Sequence, residues 1–473
     1  MDMKIILLIL YFLLLLSVIF FERKNPSEAM VWVLILLFLP YLGAFIYLIF
    51  GSTLSIKITR ELRNAKLIQR YEGKFNYSKN FVYEDINDFD FSDIQKQVIN
   101  FNKAYNDSEL TCYDDYQIFT DGKSHYTKLF SDLKNAKNTI HIQYYTIHND
   151  QVGNEFMKIL TQKASEGLEV IVMCDFIANV SSPKKMFRPF VEAGGRFKRV
   201  KPFLTHFRSH RKLVVIDNQV AYIGGMNIGK QYANMAEIKN PWRDTQIRLT
   251  GQCCGLLEVS YMADWFCNVK KAHLEDAEKS ADKAFSYKYP VSKHPCQFVV
   301  GGVDTDKESI KMCYLSMIRS AKSHIRIQSP YFIPDESTID ALKTAAASGV
   351  EIEIIIPGIK ASFFLDPVTN YYCGQLMQYG AKVYKYKGYI HAKTIVIDNK
   401  ICCIGSVNLD IRSLLVDDEI CGVFYDKKLV NEYIDIFNND IENTKQYTLQ
   451  DFKTRSNKEK IRENFFLLFS PIL

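Results

Sequence analysis

The sequence predicts an α/β chain: two duplicated halves, each a mixed sheet flanked by helices, packed with pseudo-twofold symmetry and preceded by an N-terminal two-helix transmembrane hairpin. Three observations predict it. Two apolar runs open the chain. Helical and strand-like patterns then alternate, which argues a mixed, largely parallel sheet with helices on both sides. The alternation is also written twice. Ala136-Lys137-Asn138-Thr139-Ile140-His141-Ile142-Gln143 matches Ala321-Lys322-Ser323-His324-Ile325-Arg326-Ile327-Gln328 at an offset of 185, and Gly167-Leu168-Glu169-Val170 matches Gly349-Val350-Glu351-Ile352 at 182. A repeat of this length is a duplicated domain rather than a solenoid unit.

The first run, Ile5 to Phe21, is long enough for about 25 Å of helix, and the second, Met30 to Phe50, for about 31 Å, against a hydrocarbon core of about 30 Å. Pro40 and Gly43 kink or thin the second span, and Glu22 to Ala29 form a tight loop. A cleaved signal peptide is the competing reading of the first run. It is disfavoured by a single preceding Lys, by the lack of a nearby small-x-small site and by the second run that follows at once. The loop carries Arg23 and Lys24, whereas Lys57, Arg60, Arg63, Lys66, Arg70, Lys74 and Lys79 follow the second run. The positive-inside rule therefore places the remainder on the cytoplasmic side of the membrane, as a multi-pass protein. Leu54, Ile58, Leu62 and Ala65 share one helical face, which either lies on anionic lipid or packs on the domain.

These features divide the chain into an anchor (1–52), a juxtamembrane connector (53–110), a first half (111–290) and a second half (291–473). Helical patterns cover Tyr126 to Ala136 and Gly153 to Glu166, then Ile310 to Ala321 and Thr338 to Ser348. Buried strands are expected at Ile140 to Tyr145 and Val170 to Cys174, then Ile325 to Gln328 and Ile352 to Ile356. Asn76 to Asp115 is a polar connector, and His273 to His294 a linker between halves. The tail Phe465-Phe466-Leu467-Leu468-Phe469 is a core helix or a membrane-touching end, core packing being the expectation.

Chemistry enters through a phrase repeated 181 residues apart. His210, Lys212, Asp217, Gly224-Gly225 and Asn227 have the spacing of His391, Lys393, Asp398, Gly405-Ser406 and Asn408. Each His-x-Lys runs into a short apolar strand, Leu213 to Ile216 or Thr394 to Ile397, so His and Lys share one face. An imidazole titrating near neutrality can attack phosphorus or protonate a leaving alkoxide. The ammonium, with Asn227 or Asn408 as amide donor, can stabilise charge on non-bridging oxygens. Asp217 and Asp398, seven residues on, fall on the opposite face and read as anchors of the turn. Asp244, before Thr245 to Leu249, and Glu419, before Ile420 to Phe424, are carboxylates able to orient an imidazole.

Net charge is +6, which suits an anionic lipid surface or nucleic acid equally. Eleven cysteines, including Cys253-Cys254 and Cys402-Cys403, form no regular framework and read as reduced thiols. No CxxC pair, HExxH, Walker loop or nucleophile elbow occurs, so neither metal nor nucleotide nor other cofactor is expected.

The paired phrase resembles the duplicated motif of the phospholipase D superfamily. Further residues narrow the likeness to bacterial cardiolipin synthases: Gln328-Ser329-Pro330-Tyr331-Phe332-Ile333-Pro334, Ile140 to Tyr145, Leu409-Asp410-Ile411-Arg412-Ser413, Leu39 to Gly43, Trp242-Arg243-Asp244 and Ser470 to Leu473. The likeness implies two phospholipase D-like halves and a catalytic set of His210, Lys212, Asp217, His391, Lys393 and Asp398, with Asn227, Asn408, Asp244 and Glu419 supporting. It also implies that two phosphatidylglycerol molecules become cardiolipin and glycerol through a phosphatidyl-histidine, with His210 as nucleophile by the commoner pattern. Partners would be phosphatidylglycerol and anionic membrane lipid, not nucleic acid; oligomeric state stays open. Gly225, Asp417 and Gly301-Gly302-Val303-Asp304 depart from the usual pattern. Competing readings are a hydrolase, a transferase using another alcohol or phospholipid, and a membrane-tethered nuclease. A non-catalytic scaffold is disfavoured, because both motif sets are complete. Tyr144, Tyr145, Tyr331 and Phe332 line the substrate or pack the core.

Overall fold

The computed structural model describes residues 3–20, 26–47, 84–201, 207–235, 241–269, 279–280, 289, 292–302, 307–360 and 362–470. The juxtamembrane segment 54–65 and most of the inter-half linker lie outside them.

Two sheets carry the fold. Spatial order in the first is Tyr116–Phe119, Gln246–Thr250, Val220–Gly224, Leu213–Ile216, Thr139–Tyr144, Glu169–Asp175 and Arg196–Val200. The second runs Thr111–Tyr113, His294–Gly301, Glu419–Phe424, Ile401–Gly405, Thr394–Ile397, His324–Gln328, Glu351–Pro357, Lys382–Tyr386 and Thr444–Tyr447. Both are mixed sheets: Thr139–Tyr144 pairs parallel with Glu169–Asp175 and antiparallel with Leu213–Ile216, and His324–Gln328 repeats this with Glu351–Pro357 and Thr394–Ile397.

A buried layer between the sheets joins Ile223 and Leu249 of the first to Ile404 and Ile420 of the second. The halves therefore share a core, and the duplication is a two-body design within one folded unit. Helices Gly122–Asn135 and Gln151–Ser165 cover the first sheet, where Leu129, Leu133, Phe156 and Leu160 are buried against Ile140 and Val172.

The polar connector contributes more structure than its composition suggests. Helix Asp93–Asn106, with a Ser92–Gln95 capping box, buries Ile94, Val98 and Ile99 in the second-half core beside Ile310 and Met317. Thr111–Tyr113, at the start of the segment assigned to the first half, instead adds to the edge of the second-half sheet.

At the N-terminus, helix Met3–Phe20 packs on Pro26–Phe38 around Val18, Trp32, Leu36 and Tyr47, and the Tyr11 hydroxyl donates to the Leu36 carbonyl at 2.7 Å. The second apolar run is not one helix. It breaks at Leu39 (φ −131°, ψ 67°), and a short helix, Pro40–Ile46, restarts behind it. Proline disfavours helical geometry in the preceding residue and removes an amide donor, which explains the break. Gly43 fits because a Cβ there would stand 2.7 Å from the Ile35 carbonyl oxygen. Among the described residues no helix is long and apolar enough to cross a membrane, so the two full spans drawn from the sequence are not confirmed; the first run folds as Met3–Phe20 and the second as Pro26–Phe38 and Pro40–Ile46. All eleven cysteines are buried.

Candidate active site

Each motif strand places its chemistry at one end and its anchor at the other. His210 and Lys212 lie in the extended lead-in to Leu213–Ile216, and His391 and Lys393 in the lead-in to Thr394–Ile397. At the far ends the chain turns through left-handed residues, Asp217-Asn218 (φ 52° and 57°) and Asp398-Asn399 (φ 49° and 55°). Asp and Asn tolerate this conformation better than most residues.

The Asp217 carboxylate accepts from the backbone N–H groups of Lys137, Asn138 and Thr139 at 2.7–2.8 Å. Asp398 accepts from Lys322, Ser323 and His324 at 2.7–2.8 Å, and from the Ser323 hydroxyl. Burial would raise the Asp398 carboxyl, but those donors outweigh it and hold it below its ordinary range. Both aspartates clamp the helix-to-strand junction that opens each half. They are corrected from the catalytic set to anchors, as their position along the strand foreshadows. Asp398→Ala is expected to cost about 2–4 kcal/mol of stability, since three buried or half-buried amides lose their acceptor. Thermal unfolding of the full chain would register this as a lowered Tm, with the pH profile of the surviving activity unchanged.

The histidines are held across the interface between halves. Nδ1 of His210 lies 2.8 Å from Oε1 of Glu419 in the second half, and Nδ1 of His391 lies 2.6 Å from Oδ2 of Asp244 in the first. Short backbone pairings set up this exchange. The His210 N–H donates to the Asp418 carbonyl (2.9 Å), and the Asp418 N–H returns to the Arg208 carbonyl (2.8 Å). On the other side Tyr389–Ile390 runs parallel to Trp242–Arg243, and the His391 N–H donates to the Arg243 carbonyl at 2.6 Å. Both carboxylates are fully buried.

The two carboxylates are supported differently. The Ser406 hydroxyl donates to Oε2 of Glu419. Its counterpart is Gly225, where a Cβ would stand 2.1 Å from Oδ1 of Asp244. The shorter aspartate thus occupies the space a serine would need, which accounts for the first departure from the usual pattern. Asp417 accepts from the Arg208 N–H and from Arg412, both at 2.8 Å, and so secures the strand exchange.

Electrostatics couple the four groups. Burial lowers Lys212 to about 7 and Lys393 to about 8. Burial, then Lys212 and Lys393, hold His210 well below its ordinary value. Burial, then Lys393, with a smaller effect of Lys212, take His391 to about 3. Burial lifts Glu419 to about 7, whereas His391 and Lys393 keep Asp244 low against the cost of its burial. Each imidazole therefore feels the lysines of both halves, and the two motifs make one site. Each Lys Nζ also donates to the carbonyl of its own histidine.

A family description, "Cardiolipin synthase, PLD-like domain", matches residues 129–239 and 314–441, and a "Phospholipase_D-nuclease N-terminal" description matches 9–52. The cardiolipin synthase of Listeria monocytogenes serotype 4a is 35% identical, covering 99% of this chain and 98% of its own. The major cardiolipin synthase of Bacillus subtilis is 34% identical over the whole of both chains. The chain belongs to the cardiolipin synthase family. Members of this family are phosphatidyltransferases of the phospholipase D type. In fold, the chain is similar to phosphatidylserine synthase of Haemophilus influenzae, with a TM-score of 0.62 at 14% identity over 80% of this chain and 100% of that one.

In this family member, aromatic rings wall the histidines. Tyr145 meets His210 edge-on at 4.9 Å, with Lys212 Nζ 5.2 Å from the same ring. Trp242, Tyr389 and Tyr232 stand 5.2, 5.8 and 6.1 Å from the His391 ring. Tyr331 joins this wall through a 3.0 Å contact between its hydroxyl and that of Tyr389, while Tyr144 and Phe332 are core residues.

The asparagines do not share one role. Asn227 accepts from the Thr146 N–H (3.2 Å) and donates to the Tyr232 hydroxyl (2.7 Å), holding two site loops together. Oδ1 of Asn408 is buried with no hydrogen-bond partner among the described residues. Sequence reasoning also passed over a buried support layer. Gln143 and Gln328, equivalent in the repeat, each donate to an aspartate at 2.8 Å: Asp264 on helix Cys253–Asn268 and Asp440 on helix Lys427–Glu442. Arg211 bonds Asp264 and the carbonyls of Glu419 and Gly301; Arg243 bonds Asp440. The Gln at offset 185 was the available signal.

Proposed function

We propose that this chain joins two phosphatidylglycerol molecules into cardiolipin, releasing glycerol, by double displacement at phosphorus. The observation that carries the reading is the crossed arrangement: two imidazoles, His391 buried and His210 largely so, each held at Nδ1 by a carboxylate of the other half, with both lysines acting on both rings.

A carboxylate at Nδ1 leaves Nε2 free for chemistry. His210 Nε2 attacks phosphorus, the bond from phosphorus to the glycerol oxygen breaks, and His391 protonates the departing alkoxide. The product is a phosphatidyl-histidine. His391 then takes the proton from a headgroup hydroxyl of a second phosphatidylglycerol. That oxygen attacks phosphorus, and the bond from phosphorus to nitrogen breaks. One phosphodiester replaces another, so no nucleotide is consumed.

In the empty site His391 is neutral. An entering phosphodiester anion offsets the charge of Lys393 and Lys212, and His391 gains a proton as the donor lipid binds. Water is kept from the second step by aromatic walls and by a local excess of lipid alcohol at the bilayer surface. The N-terminal helices, which expose Leu8, Phe12, Phe38 and Phe45, hold the chain there. The lysine and arginine bias after the second apolar run supports a site on the cytoplasmic side.

The lysines set an alkaline limit. They must be charged to receive phosphate, and rising pH discharges them through about 7 and about 8 in the empty site. kcat/KM for phosphatidylglycerol should fall above that range. Lys212→Arg, which removes the lower of the two limits, should move the limb upward by about one unit, to that of Lys393, because guanidinium stays charged. An unmoved limb would assign it to another group.

The function is tested by lipid mass spectrometry of the full chain in vesicles of phosphatidylglycerol alone. Cardiolipin with an equal amount of free glycerol is expected. Phosphatidic acid without cardiolipin would identify a hydrolase instead.

A further inference from the structure

We propose that both halves carry an apolar tip, flanked by cations, that enters an anionic bilayer and so seats the mouth of the site on the membrane. The inference rests on the reading above that the substrate is a membrane phospholipid.

In the second half Phe363, Phe364, Ile461, Phe465 and Leu468 are 54–69% exposed. Scattered apolar residues on a surface are ordinary, but a contiguous patch marks an interaction site. These are contiguous: Phe363 and Phe364 stand 5.4 and 5.2 Å from Phe466, and Phe465 stands 5.3 Å from it. Along helix Asn457–Leu467 and its cap, Ile461, Phe465 and Leu468 fall at i, i+4 and i+7, an outward stripe, while Phe466 is buried on the other face. The tail expected in the core is therefore half core and half surface.

The patch adjoins the site. Phe466 packs with Ile333 and Val368. Ile333 lies in the short strand paired with Leu409–Asp410, directly after Asn408, and two residues after Tyr331 of the His391 wall.

Duplication supplies the second tip. Phe363 and Phe364 follow strand Glu351–Pro357, and Ile177 and Val180 follow the equivalent strand Glu169–Asp175. Ile177 and Val180 are 44% and 64% exposed. The end of that first-half strand also meets the site, since Oδ2 of Asp175 accepts the Ser209 N–H at 3.1 Å beside His210. Both tips thus leave the sheet edge at which the histidines lie.

Charge selects the occupant. Lys360 and Lys458 are exposed around the second tip, and the Arg462 guanidinium sits 4.2 Å from the Phe363 ring centre. Lys184, Lys185 and Lys201 are exposed around the first. Nearby acids are engaged locally: Glu463 with Arg455, Asp366 with the Ser362 N–H, Glu459 with Ser456. Aromatic and aliphatic groups ringed by lysine and arginine suit the headgroup boundary of an anionic membrane.

Because every native cysteine is buried, a cysteine placed on the surface takes a thiol dye selectively. The full chain carrying Phe363→Cys, Leu468→Cys or Val180→Cys would be labelled with an environment-sensitive fluorophore in phosphatidylglycerol–phosphatidylcholine vesicles containing nitroxide lipid. Lys134→Cys, exposed at the opposite sheet edge, is the reference. Quenching of about threefold or more is expected at all three tip positions and none at the reference, as for groups seated about 5–10 Å into the boundary. Tip labels as open to aqueous iodide as the reference, in vesicles where cardiolipin still forms, would overturn the docking surface alone. Tip labels quenched by lipid in vesicles where no phosphatidyl transfer occurs would support docking and overturn the functional reading.

Discussion

His210→Ala is expected to lower cardiolipin formation by at least about 10³-fold, because it removes the nucleophile of the proposed double displacement. His391→Ala should cost a similar factor for a different reason, the loss of the acid and base that serves both steps. Two readouts separate them. With His391→Ala, a donor lipid whose leaving group departs without protonation should recover its first step, since His210 remains. With His210→Ala the same lipid should recover nothing. Exchange of labelled glycerol into phosphatidylglycerol reports the first step in isolation and should vanish in both variants with the natural lipid. Retention of that exchange by His210→Ala would transfer the nucleophile's role elsewhere.

Glu419→Gln and Asp244→Asn should each lower kcat by about 10²–10⁴-fold with little change in KM, because an amide can present its N–H to Nδ1 and so favour the wrong tautomer. The crossed geometry gives the effect a direction. Asp244→Asn, although in the first half, should reproduce the defect of His391→Ala, including recovery of the first step with a good leaving group. Glu419→Gln, although in the second half, should reproduce that of His210→Ala. Gly225→Ser adds a related expectation. A side chain there meets Asp244 at 2.1 Å, so the variant should displace Asp244 and weaken the His391 side.

The sequence revealed the histidines, the lysines and the two carboxylates through a repeated spacing, and strand parity already separated Asp217 and Asp398 from the chemistry. Which carboxylate serves which histidine was not legible. The pairing is made by the Ser209–Asp418 bridge and by two residues each of Trp242–Arg243 and Tyr389–Ile390, too short to leave a periodic signal. Helix Asp93–Asn106 was hidden for a related reason. Its charged and amide residues dominate the composition, while its buried stripe consists mainly of Ile94, Val98 and Ile99. Pro40 did announce a kink, but hydropathy alone extended the second apolar run through it. The buried arginines Arg211 and Arg243 look like surface charge in the sequence, and only their contacts with Asp264 and Asp440 show that they carry the floor of the site.

The proposed double displacement requires that the two halves form one site in which a histidine carries the phosphatidyl group. The full chain would be quenched rapidly, without acid, during turnover of phosphatidylglycerol, then digested for peptide mass spectrometry. A phosphatidyl adduct is expected on the peptide that contains His210, lost in His210→Ala and not formed on any other histidine. An adduct on His391 would reverse the assignment of the two halves. Cardiolipin formation with no adduct at any time of quenching would contradict the double displacement itself.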